Sequence, residues 1–246
     1  REGPSGASRR FHCRATRRQD RGARRMTDIR LPEALQAAID AEIQARPRAE
    51  AAALSAAYRA RQSSQVAIAD TSDVAAYLAT RLPATYAAVA TVLAEAARRL
   101  PRFEPVSLLD AGAGPGTACW AAVETFPALG ALTLLDHNRR LLEAGAGLRR
   151  AAPPPLANAE TIHGELGSPP LGDRFFDLVV ASYALTELGD GPVVAAALGL
   201  WERCAGTFVI VEPGRPRDYA RLMTVRRALV DAGAMIVAPC PHALDC

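Results

Sequence analysis

The chain has 246 residues, half of them apolar, with 29 arginines against 26 acids and no lysine, enough for one full domain with an appendage. No apolar run approaches the ~20 residues of a membrane-spanning helix, and five cysteines, an odd number scattered over this length, argue against a disulfide framework and for reduced thiols. The net charge of +3 is unevenly spread, because residues 1 to 25 hold nine arginines and two acids while residues 26 to 246 carry −4. With arginine as the only strong cation, global basicity says little about nucleic acid. The Arg-rich, aperiodic residues 1 to 25 read as a disordered tail or upstream translation with Met26 as the true start; an organellar presequence is the rival.

Residues 26 to 105 form a helical module. Leu35, Ile39 and Ile43 recur every four residues, Pro47 interrupts, and Ala49 to Arg61 resumes the pattern. Asp70 to Asp73 offer N-caps for a helix over Val74 to Arg81, and Pro83 suits the first turn of a further helix through Arg99. Pro101 and Pro105 close the module. From residue 106 to 238 short β-rich runs alternate with helical ones. Strands are expected at Val106 to Leu109, Ala131 to Leu135, Ala159 to Ile162, Phe176 to Ala181, Thr207 to Val211 and Met235 to Ala238. Helices are expected at Thr117 to Phe126, Asn138 to Arg149, Pro192 to Arg203 and Tyr219 to Ala232. Such alternation predicts an α/β domain with a mostly parallel sheet covered on both faces.

The most informative stretch is the loop after the first strand, Asp110-Ala111-Gly112-Ala113-Gly114-Pro115-Gly116-Thr117. Glycines at alternate positions let the chain turn sharply off a strand and bring bare backbone to a ligand at the start of a helix. The dinucleotide fingerprint is G-x-G-x-x-G; this loop reads G-x-G-x-G with an acid two residues ahead. That spacing resembles motif I of class I S-adenosylmethionine-dependent methyltransferases and implies a Rossmann-like sheet. The resemblance assigns Asp110, Gly112, Gly114 and Gly116 to the methionine moiety. It assigns Asp136, at the end of the second strand and 20 residues after Gly116, to the ribose, and Glu165, after the third strand, to adenine. Methyl transfer from a sulfonium relies on alignment more than on acid-base groups, and no catalytic residue is assigned. After the fourth strand, Ala181 to Leu188 lacks the Asn/Asp-Pro-Pro-aromatic motif that orients amines. Tyr183 and Glu187 either touch a substrate or merely pack and cap a helix start. Cys119 and Cys204, the latter placed in the helix before the fifth strand, read as small core residues.

The end of the sequence, Pro239-Cys240-Pro241-His242-Ala243-Leu244-Asp245-Cys246, sets two thiols and an imidazole among turn-forming prolines, half of a tetrahedral metal site. Together with Tyr77 to Ala87, the glycine loop, Ser182 to Leu188 and Val211-Glu212-Pro213-Gly214, it resembles the methyltransferase-like proteins of the small ribosomal subunit, found on mitochondrial ribosomes and as bacterial homologues. The resemblance covers roughly residues 30 to 246. It implies that residues 239 to 246 begin a Cys-rich element holding an iron-sulfur cluster or zinc, with Cys240 and Cys246 as ligands and the remaining cysteines beyond residue 246. It further implies a monomeric S-adenosylmethionine-dependent protein acting on or with small-subunit rRNA, without a membrane partner. The location is bacterial cytoplasm or, alternatively, the mitochondrial matrix. The competing function is a non-catalytic assembly factor that binds rRNA through the fold and the metal element. Arg215, Arg217, Arg221, Arg226 and Arg227 are candidate phosphate contacts.

Overall fold

The computed structural model describes residues 29–45 and 71–244. The tail 1 to 25, the helix expected at Ala49 to Arg61 and Cys246 lie outside the described residues. Among the described residues two helices, α1 (Glu33–Gln44) and α2 (Thr71–Arg99), precede the alternating part: β1 (Ser107–Ala111), α3 (Thr117–Thr125), β2 (Ala131–Asp136), α4 (Arg139–Arg149), β3 (Glu160–His163), β4 (Phe176–Ser182), α5 (Pro192–Trp201), β5 (Cys204–Val211) and α6 (Pro216–Asp231). A single 3-10 turn, Leu185–Glu187, follows β4. All strand pairings are parallel, in the order β3-β2-β1-β4-β5. The strand order reverses between β1 and β4, which opens a crevice at the carboxyl ends of these strands. This is a Rossmann-like α/β sheet.

Successive side chains of a strand point to opposite faces, and the core divides accordingly. Leu108, Leu134, Leu178 and Val180 pack under α1 to α4, whereas Leu109, Leu135, Val179 and Ala181 pack against α5 and α6. Both faces of β1, β2 and β4 are therefore apolar, as a covered parallel sheet requires.

Three expectations are corrected. Pro83 does not open a new helix; it lies inside the continuous α2. An internal proline costs ~3 kcal/mol. Val74, Leu78, Leu82, Tyr86, Val89 and Leu93 make one buried seam running through it, each worth about 1.5–3 kcal/mol if fully buried, and the seam outweighs the break. Met235 to Ala238 is not a strand. Its β-branched residues find no partner ladder: Met235 is 90% exposed, and the segment is instead tied down by Arg99, whose Nη1 donates to the Val237 carbonyl at 3.2 Å. Cys204 is not at a helix end but opens β5, pairing with Phe176 ahead of an irregularity in the β4 register.

Candidate functional site

The chain leaves β1 at Ala111 and turns through Gly112 and Gly114, with φ of +74° and +54°, a left-handed region that side chains with a Cβ rarely adopt. The amides of Gly112 and Ala113 both donate to the Leu135 carbonyl, at 2.8 and 3.0 Å, which fastens the loop to the end of β2. A Cβ on Gly112 would sit 2.2 Å from that of Ala184, so the loop rests directly on the segment after β4. On Gly114 it would meet only Leu141 Cδ1 and the Tyr77 hydroxyl, each at 3.6 Å.

Around this loop is a cavity of about 240 Å³ at the carboxyl ends of β1 to β4. Gly112 and Gly114 form its floor, with Asp136 at the end of β2 and His137 just after it, Glu165 after β3, Ser182 at the end of β4, and Tyr183 and Glu187 beyond it. Asp136 is 6% exposed. Its Oδ2 accepts from the Gly114 amide and its Oδ1 from the Asn138 amide, both at 2.7 Å. Burial raises its pKa, while these two amides and the His137 ring oppose the rise. His137 stands between two acids, with Nδ1 3.6 Å from Asp136 and Nε2 3.8 Å from Glu187. Burial, followed by the charges of Asp136 and Glu187, pushes the Tyr77 phenol far up and keeps it a neutral donor. Among the described residues, three carboxyl groups and no arginine line the cavity.

The structure thus brings Gly112, Gly114, Asp136 and Glu165 together around one space, and sets Asp110 and Gly116 behind it. Asp110 is wholly buried beneath the loop, where its polar neighbours are the Cys119 thiol and amide; neither carboxyl oxygen makes a hydrogen bond of ordinary geometry. Burial pushes it up to about 7. The Gly116 Cα faces Leu134 and the Arg149 guanidinium, and a Cβ there would come within 2.6 and 3.1 Å of them. Arg149 is buried too, with Nη2 donating to the Thr161 hydroxyl at 3.1 Å. These residues shape the loop from below.

A second, larger cavity of about 560 Å³ adjoins the first and shares Tyr77, Tyr183, Glu187 and Leu188 with it. Its other walls carry Arg81, Arg215, Arg217 and Arg221. Tyr183, at the junction, has a φ of +56°. A non-glycine residue held in this region costs about 1–3 kcal/mol and requires its surroundings to impose the conformation. The Tyr183 amide donates to the Val211 carbonyl at 2.7 Å, and its own carbonyl accepts from the Thr186 hydroxyl at 3.3 Å. Glu212 completes the support, one carboxyl oxygen accepting from the amides of Leu185 (2.9 Å) and Thr186 (3.3 Å). Burial pushes this carboxyl up to about 7. Arg221 holds the far side by donating to the carbonyls of Thr186 and Leu188 at 3.2 and 3.1 Å. Packing and capping of the turn therefore fall to Glu212, Thr186 and Arg221, which leaves Tyr183 and Glu187 facing both cavities. Sequence reasoning missed His137, whose one signal was its place directly after the acid of β2. It also missed the supporting role of Glu212, which is set by contact across the sheet and has no local signature.

Cys240 and His242 are exposed, and no group of three or more His, Cys, Asp or Glu among the described residues is arranged to hold a metal ion. One thiol with a neighbouring imidazole does not satisfy zinc or an iron-sulfur cluster, each of which usually takes four protein ligands. Among the described residues no helix is long and apolar enough to cross a membrane.

Comparison with known proteins adds sequence relatives to this geometry. A family described as "Mitochondrial small ribosomal subunit Rsm22" matches residues 71–246. The human "Ribosome assembly protein METTL17, mitochondrial" is 26% identical over 193 residues, covering 69% of this chain. The chain spans only 40% of that relative's length. Among solved structures, the CcbJ methyltransferase from Streptomyces caelestis is 21% identical with a TM-score of 0.39, over 48% of this chain and 47% of that one. The sugar N-methyltransferase KedS8 from a Streptoalloteichus species is 20% identical with a TM-score of 0.43, over 54% and 50% respectively.

Proposed function

This chain belongs to the Rsm22 family of the mitochondrial small ribosomal subunit, and from that premise we propose that it is an S-adenosylmethionine-binding, methyltransferase-like protein working on or with small-subunit rRNA in ribosome assembly. The observation that carries the cofactor assignment is the charge of the pocket. Among the described residues no arginine lines it, whereas Asp136, Glu165 and Glu187 do. A pyrophosphate placed among three carboxyl groups without an arginine beside them would meet repulsion of about 1 kcal/mol per charge pair at 4 Å even in water, and more in a partly buried cleft. S-adenosylmethionine brings a sulfonium, an ammonium, two ribose hydroxyls and an adenine amine, which these acids complement, and a single carboxylate in place of the several charges of a pyrophosphate.

Each carboxylate oxygen of Asp136 retains a second lone pair after accepting its backbone amide, which leaves room for ribose hydroxyls. Glu165 is set to receive the adenine amine, and Gly112 and Gly114 let the methionine portion approach bare backbone. Asp110 and Gly116 support the loop from beneath. When bound, the ligand supplies an electrophilic methyl group; the protein's own contribution is to align, exclude water and hold the acceptor at the Tyr183 junction. Calorimetry with S-adenosylmethionine and S-adenosylhomocysteine tests the assignment, with saturable 1:1 binding expected. No detectable heat or protection from unfolding at millimolar ligand refutes it.

A second reading, assembly without methyl transfer, is favoured by two observations. The human relative is named as an assembly protein, and the segment after β4 lacks the amine-orienting motif. Tritiated methyl transfer onto small-subunit particles separates the two: incorporation establishes an enzyme, and cofactor binding without incorporation establishes an assembly factor. The relatives' mitochondrial descriptions support the matrix among the two compartments considered from sequence. Cys240 becomes a metal ligand only with donors outside the described residues.

A further inference from the structure

We propose that binding of the cationic cofactor expels a proton from Asp110 and closes a buried ion pair between Asp110 and Arg149 beneath the glycine loop. This rests on the cofactor assignment above and concerns how the same pocket responds to charge and pH.

Two groups of opposite character lie unsatisfied under one loop. Asp110 is 0% exposed and neither of its carboxyl oxygens has a hydrogen-bond partner; Arg149 is 4% exposed and its Nη1 has none either. An ionised carboxylate buried without partners is costly and keeps its proton instead, whereas a guanidinium cannot give up its charge and is left seeking an acceptor. The sheet register sets the two side by side. Asp110 pairs with Leu134 and Leu134 with Thr161, so the three form one row across β1, β2 and β3 on the same face. Arg149, at the end of α4, reaches over that row. Its Nη2 donates to the Thr161 hydroxyl at 3.1 Å, while Nη1 and the Leu134 side chain both border the position a Cβ on Gly116 would take. Two strand spacings, about 9.5 Å, separate Asp110 from Thr161, and the guanidinium spans the part nearer Thr161. A turn of its terminal torsions brings Nη1 to the carboxyl.

Among the described residues, the titratable and charged groups facing Asp110 are Cys119 on α3, Asp136 on β2, Arg149 on α4 and Tyr77 on α2. Burial is the main cause that pushes the carboxyl up to about 7; hydrogen bonds from Cys119 oppose the rise, the charge of Asp136 adds to it and that of Arg149 opposes it. Burial also holds the Cys119 thiol and the Tyr77 phenol protonated, so the exchangeable proton is that of the carboxyl. Asp136 and Tyr77 line the cofactor pocket, and their electrostatic contact with Asp110 shows that charge in the pocket is felt beneath the loop. S-adenosylmethionine carries a sulfonium and an ammonium, and nearby positive charge favours the carboxylate over the acid. The O–H bond of Asp110 then breaks, the proton passes to solvent, and the carboxylate accepts from Arg149 Nη1, which satisfies both groups at once. S-adenosylhomocysteine, with a neutral thioether in place of the sulfonium, drives this step less.

Titration calorimetry of the full chain with S-adenosylmethionine and with S-adenosylhomocysteine, repeated in buffers of different ionisation enthalpy, counts the protons released. The amino and carboxyl groups that the two ligands share cancel in the difference. At pH 7 S-adenosylmethionine should release about half a proton more than S-adenosylhomocysteine, and more again at pH 6. The form that binds better has lost the proton, so the affinity for S-adenosylmethionine relative to S-adenosylhomocysteine should rise about fivefold to tenfold from pH 6 to pH 8. Asp110→Asn should abolish the difference in protons, and Arg149→Met should shrink it. Equal release by the two ligands, or a difference undiminished in Asp110→Asn, overturns the proposal. Difference infrared spectroscopy keeps it testable should Asp110→Asn not fold. At pH 6 the carbonyl band of protonated carboxyl groups should lose intensity when the parent binds S-adenosylmethionine, and an unchanged band overturns the proposal. Binding without proton release refutes the proposal alone, whereas binding of neither ligand refutes it together with the cofactor assignment.

Discussion

Gly112 and Gly114 make the sharpest test of the loop geometry, because they share a backbone conformation and differ in surroundings. An alanine at either site adopts a left-handed φ, at a cost of about 1–2 kcal/mol, partly offset by about 0.4–1 kcal/mol from a less flexible unfolded chain. At Gly112 the new methyl also lands 2.2 Å from the Ala184 Cβ, with the Ala184 Cα at 3.4 Å. Relieving this overlap means moving backbone on one side or the other, and overpacking of this kind costs about 1–3 kcal/mol more. At Gly114 the nearest atoms are at 3.6 Å, ordinary contact. Gly112→Ala should therefore be destabilised by about 1–4 kcal/mol, and Gly114→Ala by no more than about 1.5 kcal/mol. Gly172→Ala, at φ +57° with nothing within 4 Å of its Cβ, supplies the conformational cost alone. Urea unfolding followed by circular dichroism measures all three, provided the m-values agree. Calorimetry should show the opposite ranking for ligand: the Gly114 methyl projects between Leu141 and Tyr77 into the cavity and should weaken S-adenosylhomocysteine binding. The reasoning fails if Gly112→Ala is no less stable than Gly172→Ala, or if Gly114→Ala is the least stable of the three.

The buried carboxyls give the protein a pH dependence of definite sign. Asp110 and Glu212 are both pushed up to about 7, so each keeps its proton in the folded state where the unfolded chain has lost it. Their contribution to stability is complete below about pH 4 and is lost as pH rises through about 7. Unfolding at pH 5 and pH 8 should show the parent weaker at pH 8. Asp110→Asn should shrink that difference, and an unchanged difference would assign the slope elsewhere. Glu212→Ala should cost about 1–3 kcal/mol by orphaning the two amides it accepts from. Hydrogen exchange should accelerate at Leu185 and Thr186, and protection equal to the parent's would show that the turn holds without Glu212. Elemental analysis of the purified chain should find substoichiometric zinc and iron, unchanged in Cys240→Ser. Stoichiometric metal lost in that variant would show that Cys240 has partners outside the described residues.

Local pattern determined much of this protein. The alternation of β-rich and helical runs predicted five of the strands and the helices between them, because a strand buried on both faces must be apolar throughout. The spacing of Gly112, Gly114 and Gly116 after Asp110 marked the sharp turn of the proposed ligand loop, since only glycine takes these backbone angles freely. Tertiary structure decided what depends on neighbours. Pro83 reads as a helix start, yet the buried seam of α2 carries the helix through it. Met235 to Ala238 has strand composition, but a strand exists only with a partner to pair with, and among the described residues it has none. Asp110 and Gly116 belong to the same motif as Gly112 and Gly114, but the fold turns them under the loop. The acids Asp136 and Glu165 and the arginines Arg215, Arg217 and Arg221 stood out in the sequence as candidates, but the contrast between an acidic pocket and an adjoining arginine-lined one did not. It arises where five parallel strands end together and α2 and α6 close over them, bringing residues as distant as Tyr77, Asp136, Tyr183 and Arg217 to two adjoining spaces.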